Sequence, residues 1–157
     1  MKKFLILFII ATLVAVMPSC TKYDDGGYAS KNHLKGTWLL QELSYGGESS
    51  DVSIMNTYLT GITFEKNGTG NIDINLLVTT LTVDFNWEFV NDKKDLKMTL
   101  KPINFPAIIP QATRDQINEM IQTLLPAESH ILKLTKSEFW ITSIGDNKTM
   151  IMKLKKK

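Results

Sequence analysis

The 157-residue chain has only one cysteine, two histidines and five prolines. A single cysteine excludes a disulfide framework, and two histidines leave too few ligands for a zinc cluster, so no metal is expected. The sequence also lacks an excess of one charge. When Lys2 and Lys3 are left out, the remaining 16 of 18 basic residues balance 16 acidic ones, and the formal charge of +2 falls to zero. A neutral chain is a poor match for nucleic acid, so no nucleic-acid partner is expected.

What the chain does contain is typical of one globular domain behind a leader. Hydrophobic residues make up 43% of the sequence and charged residues 22%. Lys2 and Lys3 precede an uncharged run from Phe4 to Met17 that stops at Pro18. This run is shorter than the roughly 20 apolar residues that a membrane-spanning helix needs. The pattern therefore predicts a cleaved signal peptide over residues 1–19.

Cys20 follows the small residue Ser19 at the end of this leader. The residues Met17-Pro18-Ser19-Cys20 resemble the lipidation box of bacterial lipoproteins, with Met17 where that family prefers leucine. The resemblance implies that the signal is cut before Cys20 and that acyl chains such as palmitate are attached there. Several acyl chains together hold a protein firmly on a membrane. The alternative for Cys20 is a buried free thiol.

The residues after Cys20 are polar and have no apolar periodicity. They predict a flexible tether over residues 20–33. Lys22 followed by Asp24-Asp25 resembles the export signal that sends Bacteroidetes lipoproteins to the outer face of the outer membrane, while a solvated linker is the alternative interpretation. The expected location is the outer membrane, with the protein lipid-anchored on its periplasmic or cell-surface face.

From residue 34 to residue 157, apolar and polar residues alternate in short runs that are separated by turn residues. This pattern predicts an all-β, mainly antiparallel domain. Asn67-Gly68 favours a tight hairpin turn, because both residue types tolerate positive φ angles. Periodicity alone leaves open whether the strands form a closed barrel or a flattened sandwich. Eight strands are predicted: Leu34–Tyr45, Gly61–Lys66, Thr69–Leu77, Thr82–Val90, Leu96–Leu100, Ile131–Thr135, Glu138–Ile144 and Lys148–Lys155.

One segment breaks the two-residue period. Apolar residues recur at helical intervals over Thr113–Leu125, which predicts one amphipathic helix inserted before the last strands. Thr113 and Gln116 have the spacing of a capping box, and Pro126 follows the helix. The preceding segment, Pro102–Pro110, contains three prolines and cannot run through the interior of a sheet. We expect it to lead the helix across one end of the barrel.

Several short motifs resemble the small lipocalin-like domains of Bacteroidetes lipoproteins. They are Gly36-Thr37-Trp38, Phe64 followed by Asn67-Gly68-Thr69-Gly70, Asn86-Trp87-Glu88-Phe89, and Leu132-Lys133-Leu134-Thr135 before Phe139.

The resemblance implies an eight-stranded up-and-down barrel whose closed end is plugged by Trp38. Lipocalins usually place an arginine over this tryptophan, but the only arginine here is Arg114, in the predicted helix. Lys153 or Lys155 is the expected substitute.

The inward faces of the predicted strands are almost entirely apolar. Large residues favour a filled interior, whereas a cavity would hold an apolar guest such as a fatty acyl chain. The candidate ligand-binding residues of the lumen are Trp38, Phe64, Phe85, Trp87, Phe89, Met98, Phe139 and Met152.

No catalytic constellation is evident, so neither enzyme activity nor a cofactor is expected. Ser129 and His130 are neighbours on a strand and should point to opposite faces, which prevents them from acting as a nucleophile and base. His33 has no second ligand at metal-binding spacing. Asp92 and Asp95 flank a turn, where carboxylates commonly bind backbone groups.

Two non-enzymatic functions follow from these expectations. The first is a membrane-anchored protein that binds a small apolar ligand in or at the barrel, with Pro102–Leu125 as a lid. The alternative is an interaction module with a filled barrel, which docks on another envelope protein. In the second case Ile103, Phe105, Ile108 and Ile109 would be exposed and would dock on the partner, and in the first case they would belong to the lid.

Overall fold

The computed structural model describes residues 22–76, 79–144 and 149–157. These residues form one antiparallel sheet of nine strands and three helices. In chain order the elements are α1 (Lys31–Leu34), β1 (Gly36–Tyr45), β2 (Glu48–Ser50), α2 (Ser53–Tyr58), β3 (Leu59–Phe64), β4 (Thr69–Asn75), β5 (Thr80–Val90), β6 (Asp95–Leu100), α3 (Gln111–Leu124), β7 (Glu128–Leu134), β8 (Glu138–Ile144) and β9 (Thr149–Lys156).

Eight of these strands close into a barrel, as the sequence predicts. The strands β3 to β9 pair in simple succession, and β1 joins β3 to β9. The pairing of β1 with β9 extends from Trp38 opposite Lys156 to Tyr45 opposite Met150. This pairing removes both edges of the sheet, so the domain is a closed barrel and not a flattened sandwich. The short strand β2, which sequence periodicity did not predict, adds to β1 outside the barrel.

The alternation of β5 shows which face of the sheet lies inside the barrel. Val83, Phe85 and Trp87 are buried, while the residues between them are exposed. Because successive side chains of a strand point to opposite faces, one face of the strand must be covered, and the barrel interior covers it. Phe89, at the end of the strand, is only half-buried.

The hairpin between β3 and β4 is confirmed, but its turn lies over residues 65–68. The amide of Gly68 donates to the carbonyl of Glu65 at 3.1 Å, and only Gly68 of the predicted Asn-Gly pair has a positive φ, at 89°. The side chain of Asn67 instead accepts a hydrogen bond from the amide of Thr69 at 3.0 Å. An Asx-type bond of this kind stabilises the turn without a left-handed asparagine.

The two ends of the barrel differ. One end, which we call the closed end, carries α1 and the last residues of β9. It also carries the turns at residues 65–68, 91–94 and 135–137. The opposite end carries α3 and is called the helix end.

Trp38 fills the closed end, as the lipocalin resemblance implies. Its side chain is fully buried, and its indole Nε1 donates to the carbonyl of Leu34 at 2.7 Å. The cation over the indole is Lys156, whose Nζ lies 4.9 Å from the ring centroid. The expectation of Lys153 or Lys155 was therefore wrong. Lys153 instead pairs with Glu42 on the outer surface.

An aromatic cluster continues this filling inside the closed end. The ring of Phe64 lies 5.4 Å from Phe85, 5.9 Å from Trp87 and 5.8 Å from Phe139, each nearly edge to face. Edge-to-face packing is the arrangement that aromatic quadrupoles favour. Gly70 lies opposite Phe64, and a Cβ at this position would come within 2.4 Å of the Phe85 ring, so glycine makes room for the cluster.

The amphipathic helix exists, and α3 buries Ile117, Ile121 and Leu124 against the core. It begins at Gln111, two residues before the predicted start, so the predicted cap formed by Thr113 and Gln116 was wrong. Pro110 precedes the first turn. Proline is tolerated there because a backbone amide at the start of a helix makes no intrahelical hydrogen bond.

The proline-rich arm is clamped to the start of α3. Arg114 Nε donates to the carbonyl of Ile109 at 2.8 Å, and its guanidinium carbon lies 5.8 Å from the centroid of Phe105. Ile109 is buried, and Ile103 and Phe105 are half-buried against the core. The expectation that all four arm residues are exposed was therefore wrong, because only Ile108, with 73% of its surface accessible, projects outward.

The segment from Lys22 to Tyr28 is folded onto the barrel, which differs from the flexible tether that the sequence predicted. The amide of Tyr28 donates to the carbonyl of Leu134 at 3.0 Å. The segment thereby pairs with the part of β7 that β6 does not reach. Tyr23 is buried, and its hydroxyl donates to the carbonyl of Lys93 at 2.9 Å. An exposed strand edge and a single buried aromatic ring therefore order this polar segment.

Replacing the plug provides a test of the closed end. Trp38→Phe removes the hydrogen bond to Leu34 and leaves unfilled space, so the free energy of unfolding should fall by about 2–3 kcal/mol. The matched control is Trp140→Phe, because Trp140 is half-buried on the outside between Lys133 and Lys153. The control should lose about 1 kcal/mol or less. Urea unfolding of the three proteins measures both values, and equal losses would contradict the plug.

Candidate functional site

The most apolar recess that we describe arises where two neighbouring strands of the barrel separate. β6 and β7 share only three residue pairs, from Asp95 opposite His130 to Lys97 opposite Glu128. Beyond Lys97, β6 runs on to Leu100 while the chain departs into the arm and α3. One further bond, from the amide of Met98 to the carbonyl of Ala127 at 2.9 Å, holds the two sides together.

The resulting opening in the barrel wall, here called the side cleft, has a volume of about 530 Å³. Its apolar residues are Met98 and Leu125, which are buried, and Leu100, which is half-buried. Its remaining lining residues are exposed and mostly polar: Lys97, Thr99, Gln122 and Ala127.

A smaller and more polar depression of about 310 Å³ adjoins the side cleft. It lies on the outer face of β5 and β6 and shares Lys97 and Thr99 with the cleft. Glu88 lies directly opposite Lys97 in the strand register. The two recesses therefore combine apolar contacts on one side of Lys97 with hydrogen-bonding groups on the other.

The structure places the predicted lumen residues inside the barrel, but it distributes them unevenly. Five of them lie in the closed end, where their rings contact one another, and Met152 is fully buried. Phe89 is half-buried and lies beside Trp87, with ring centroids 5.5 Å apart. Only Met98 of the predicted set lines the side cleft. Whether any of these residues binds a ligand stays a prediction.

Two buried polar atoms, His33 Nδ1 and Ser129 Oγ, have no hydrogen-bond partner among the described residues. Ser129 is 1% exposed. Its neighbour His130 is exposed, which confirms that the two side chains point to opposite faces of β7. They cannot form a nucleophile and base pair, because the wall of the barrel separates them.

The main titratable cluster lies at the closed end. His130 Nδ1 and Asp95 Oδ1 are 2.6 Å apart, and Asn91 Nδ2 donates to the other carboxylate oxygen at 2.6 Å. Burial alone would raise the pKa of Asp95, but the hydrogen bonds from Asn91 and His130 outweigh it and hold the pKa below its usual range. Burial, followed by the charge of Asp95, raises the pKa of Tyr23.

This cluster is arranged for structure. Its position explains what it does, since the Asn91–Asp95 contact spans the 91–94 turn. Asn91, Asp92 and Lys93 in this turn have φ angles of 51°, 55° and 65°. Three consecutive left-handed residues are strained, and the cluster holds them in place.

Comparison with known proteins does not assign the chain to a family. The chain matches no protein-family model and no curated protein. Within the part of the chain that the structure describes, no group of three or more His, Cys, Asp or Glu side chains could hold a metal ion. Over the same residues, no helix is long and apolar enough to cross a bilayer.

Sequence reasoning did not find the side cleft. Gln122, Leu125 and Ala127 carry no motif, and they approach β6 only because β7 begins near Glu128 and pairs with β6 over three residues. A usable signal was present, since the arm and helix place an unusually long connection between two neighbouring strands. Such a connection does not force the two strands to stay paired up to the end of the barrel, as a tight hairpin turn does.

The Asp95 cluster predicts how stability depends on pH. A carboxyl group with a lowered pKa in the folded state stabilises the fold above its unfolded pKa of about 3.9 and loses this contribution as the pH falls. Asp95→Asn should therefore lower the free energy of unfolding by about 1 kcal/mol at neutral pH and flatten its decline between about pH 5 and pH 2. Chemical unfolding at several pH values measures this difference.

A control carboxylate separates this effect from general acid sensitivity. Asp84 is exposed on β5, outside the cluster, and Asp84→Asn should keep the wild-type profile. A wild-type slope in Asp95→Asn would show that the cluster does not stabilise the turn.

Proposed function

We propose that this protein is a lipid-anchored, non-catalytic binding protein of the bacterial cell envelope, and that it holds a small apolar ligand in the side cleft. The side cleft itself is the observation that carries the proposal. Its volume of about 530 Å³ lies within the range of about 300–1,000 Å³ that is typical of small-molecule sites. It also combines apolar walls with a few polar groups, which is the usual composition of such a site.

The packing of the barrel favours the side cleft over the lumen. Trp38, Phe64, Phe85 and Phe139 are each at most 1% exposed and fill the closed end with aromatic rings. At the helix end, α3 inserts Ile117, Ile121 and Leu124. Eight strands leave an interior that side chains of this size can fill. A ligand in the lumen would have to displace well-packed side chains, whereas a ligand in the side cleft would not.

The chemistry of the cleft favours an amphipathic ligand with a negative end. Met98, Leu100 and Leu125 offer apolar contacts to a hydrocarbon chain, and methionine adapts to irregular shapes. Lys97 and Thr99 at the rim would bind a carboxylate or phosphate through charge-assisted hydrogen bonds. A fatty acid or a related lipid fits both requirements.

The anchor is supported by the sequence of the leader. Cys20 and residues 1–19 lie outside the described residues, so their lipidation and cleavage remain part of the proposal. The box at Met17-Pro18-Ser19-Cys20 follows a basic start and an apolar run of suitable length. The proposed location is the outer membrane, with the protein on either its periplasmic or its cell-surface face.

The second candidate, a module that docks on another envelope protein, rests on Ile108. An isoleucine that is 73% exposed next to a rigid helix is a plausible contact for a partner. Ile103, Phe105 and Ile109 are largely covered by the fold, however, which leaves a docking surface much smaller than stable interfaces require. Ligand binding is therefore the better-supported function.

Blocking the side cleft tests the proposed site. Ala127 is exposed on its wall, so Ala127→Trp should fill it and weaken binding of a fluorescently labelled fatty acid at least about tenfold. Ala112→Trp makes the same substitution at an exposed position near the start of α3 and should leave the affinity unchanged. Fluorescence titration of the purified protein measures both affinities. Equal affinities for the two variants would place the ligand elsewhere, and no binding by the wild type would contradict ligand binding.

Lipid attachment has its own test. In a bacterium that processes lipoproteins, the wild-type chain should incorporate a clickable palmitate analogue and fractionate with membranes. Cys20→Ser should lose the label and become soluble, because one acyl chain alone already contributes roughly 0.8 kcal/mol per buried methylene. Ser19→Ala keeps a small residue before the cysteine and should remain labelled. Equal labelling of Cys20→Ser and the wild type would overturn the anchor.

A further inference from the structure

The charges of the described residues are separated in space. The closed end, counted as the segment before β1, its three turns, residue 157 and the two adjoining residues of each strand, carries eleven lysines and six acidic residues. The lysines are Lys22, Lys31, Lys35, Lys66, Lys93, Lys94, Lys133, Lys136, Lys155, Lys156 and Lys157. The acidic residues are Asp24, Asp25, Glu65, Asp92, Asp95 and Glu138.

The rest of the described chain has the opposite balance. It carries four basic residues, Lys97, Lys101, Arg114 and Lys153, and nine acidic ones. The protein therefore has a positive end and a negative body, although its sequence gives no hint of this separation. The turns and chain termini that the barrel brings together come from widely separated parts of the sequence.

Most lysines of the closed end are exposed. Among its carboxylates, Asp95 contacts His130 at 2.6 Å and Glu138 contacts Lys133 at 2.9 Å. Nine of the eleven lysines are exposed, and among them Lys66 and Lys136 lie at the tips of turns. These ammonium groups are available to an external anionic surface.

The chain itself indicates which surface this is. Lys22 lies two residues after Cys20, and the segment that follows Lys22 is bonded to β7 and to the 91–94 turn at the closed end. Two extended residues span about 7 Å, which is shorter than the Debye length of about 8 Å at physiological ionic strength. A membrane attached at Cys20 would therefore lie within electrostatic reach of the closed end.

We infer that the closed end of the barrel docks on an anionic phospholipid bilayer, with its exposed lysines against the phosphate groups. This inference rests on the proposed membrane attachment and adds an orientation to it. The barrel then stands with its closed end on the membrane, and the helix end with α3 faces away. Polybasic surfaces bind anionic membranes in this way, and each lysine near the surface adds to the affinity.

Vesicle binding by the mature chain from residue 20, carrying Cys20→Ser, tests the inference without the lipid. At low ionic strength it should bind vesicles that contain phosphatidylglycerol and ignore vesicles of phosphatidylcholine alone. High salt should release it, because exposed charges are screened. Equal binding to both vesicle types, or no binding to either, would overturn the inference; in the second case an acidic protein surface would be the partner to seek.

Two charge-matched variants locate the contact. The double variant Lys66→Gln/Lys136→Gln lowers the net charge by two at the closed end and should weaken binding about tenfold or more. Lys101→Glu lowers the net charge by the same amount at the helix end and should weaken it far less. Equal weakening would show a response to net charge alone and would overturn the orientation. Because Cys20 is absent from this experiment, failure of lipidation and failure of docking are distinguished.

Discussion

The pairing of β1 with β9 is the constraint on which the rest of the structure depends. It brings Trp38 opposite Lys156, whose ammonium group lies 4.9 Å from the indole centroid, while the indole Nε1 donates to the carbonyl of Leu34. Lys156 Nζ also donates to the carbonyl of His33 at 3.0 Å. Burial, followed by the charge of Lys35, lowers the pKa of Lys156. The contacts of Lys156 offset the unfavourable burial of its charge. They also join the start of β1 to the end of β9 and seal one end of the barrel.

The early separation of β6 from β7 has two opposite consequences. Towards the closed end, β7 continues beyond β6, and the segment around Gly27 and Tyr28 pairs with the exposed edge. Towards the helix end, β6 continues beyond β7. Thr99 and Leu100 pair with β5 on one side, and no strand of the described chain pairs with them on the other. The first edge is closed by the chain itself, whereas the second forms the side cleft. The short overlap of β6 and β7 thus accounts for an ordered N-terminal segment and for the candidate ligand site.

Sequence periodicity predicted all eight barrel strands and the helix because alternation and helical spacing are properties of neighbouring residues. It predicted the inward positions of Phe85 and Trp87 for the same reason. It missed the bonding of Tyr23 to Lys93, seventy residues away, and the cation over Trp38, since both depend on strand register. Sequence periodicity also did not predict the side cleft or the charge separation, for a similar reason. Both are produced by distant segments that meet only after the barrel closes.

A filled interior with a ligand site in the wall is the central claim, and methyl NMR tests it most directly. Isotope-labelled Ile, Leu and Met methyl groups report separately on the interior, through Ile72, Ile74 and Ile141, and on the side cleft, through Met98, Leu100 and Leu125. On titration with a saturated fatty acid, the cleft methyl signals should shift in a saturable way while the interior signals stay in place. Saturable shifts confined to the interior methyl groups would show that the barrel opens to hold the ligand and would contradict this account.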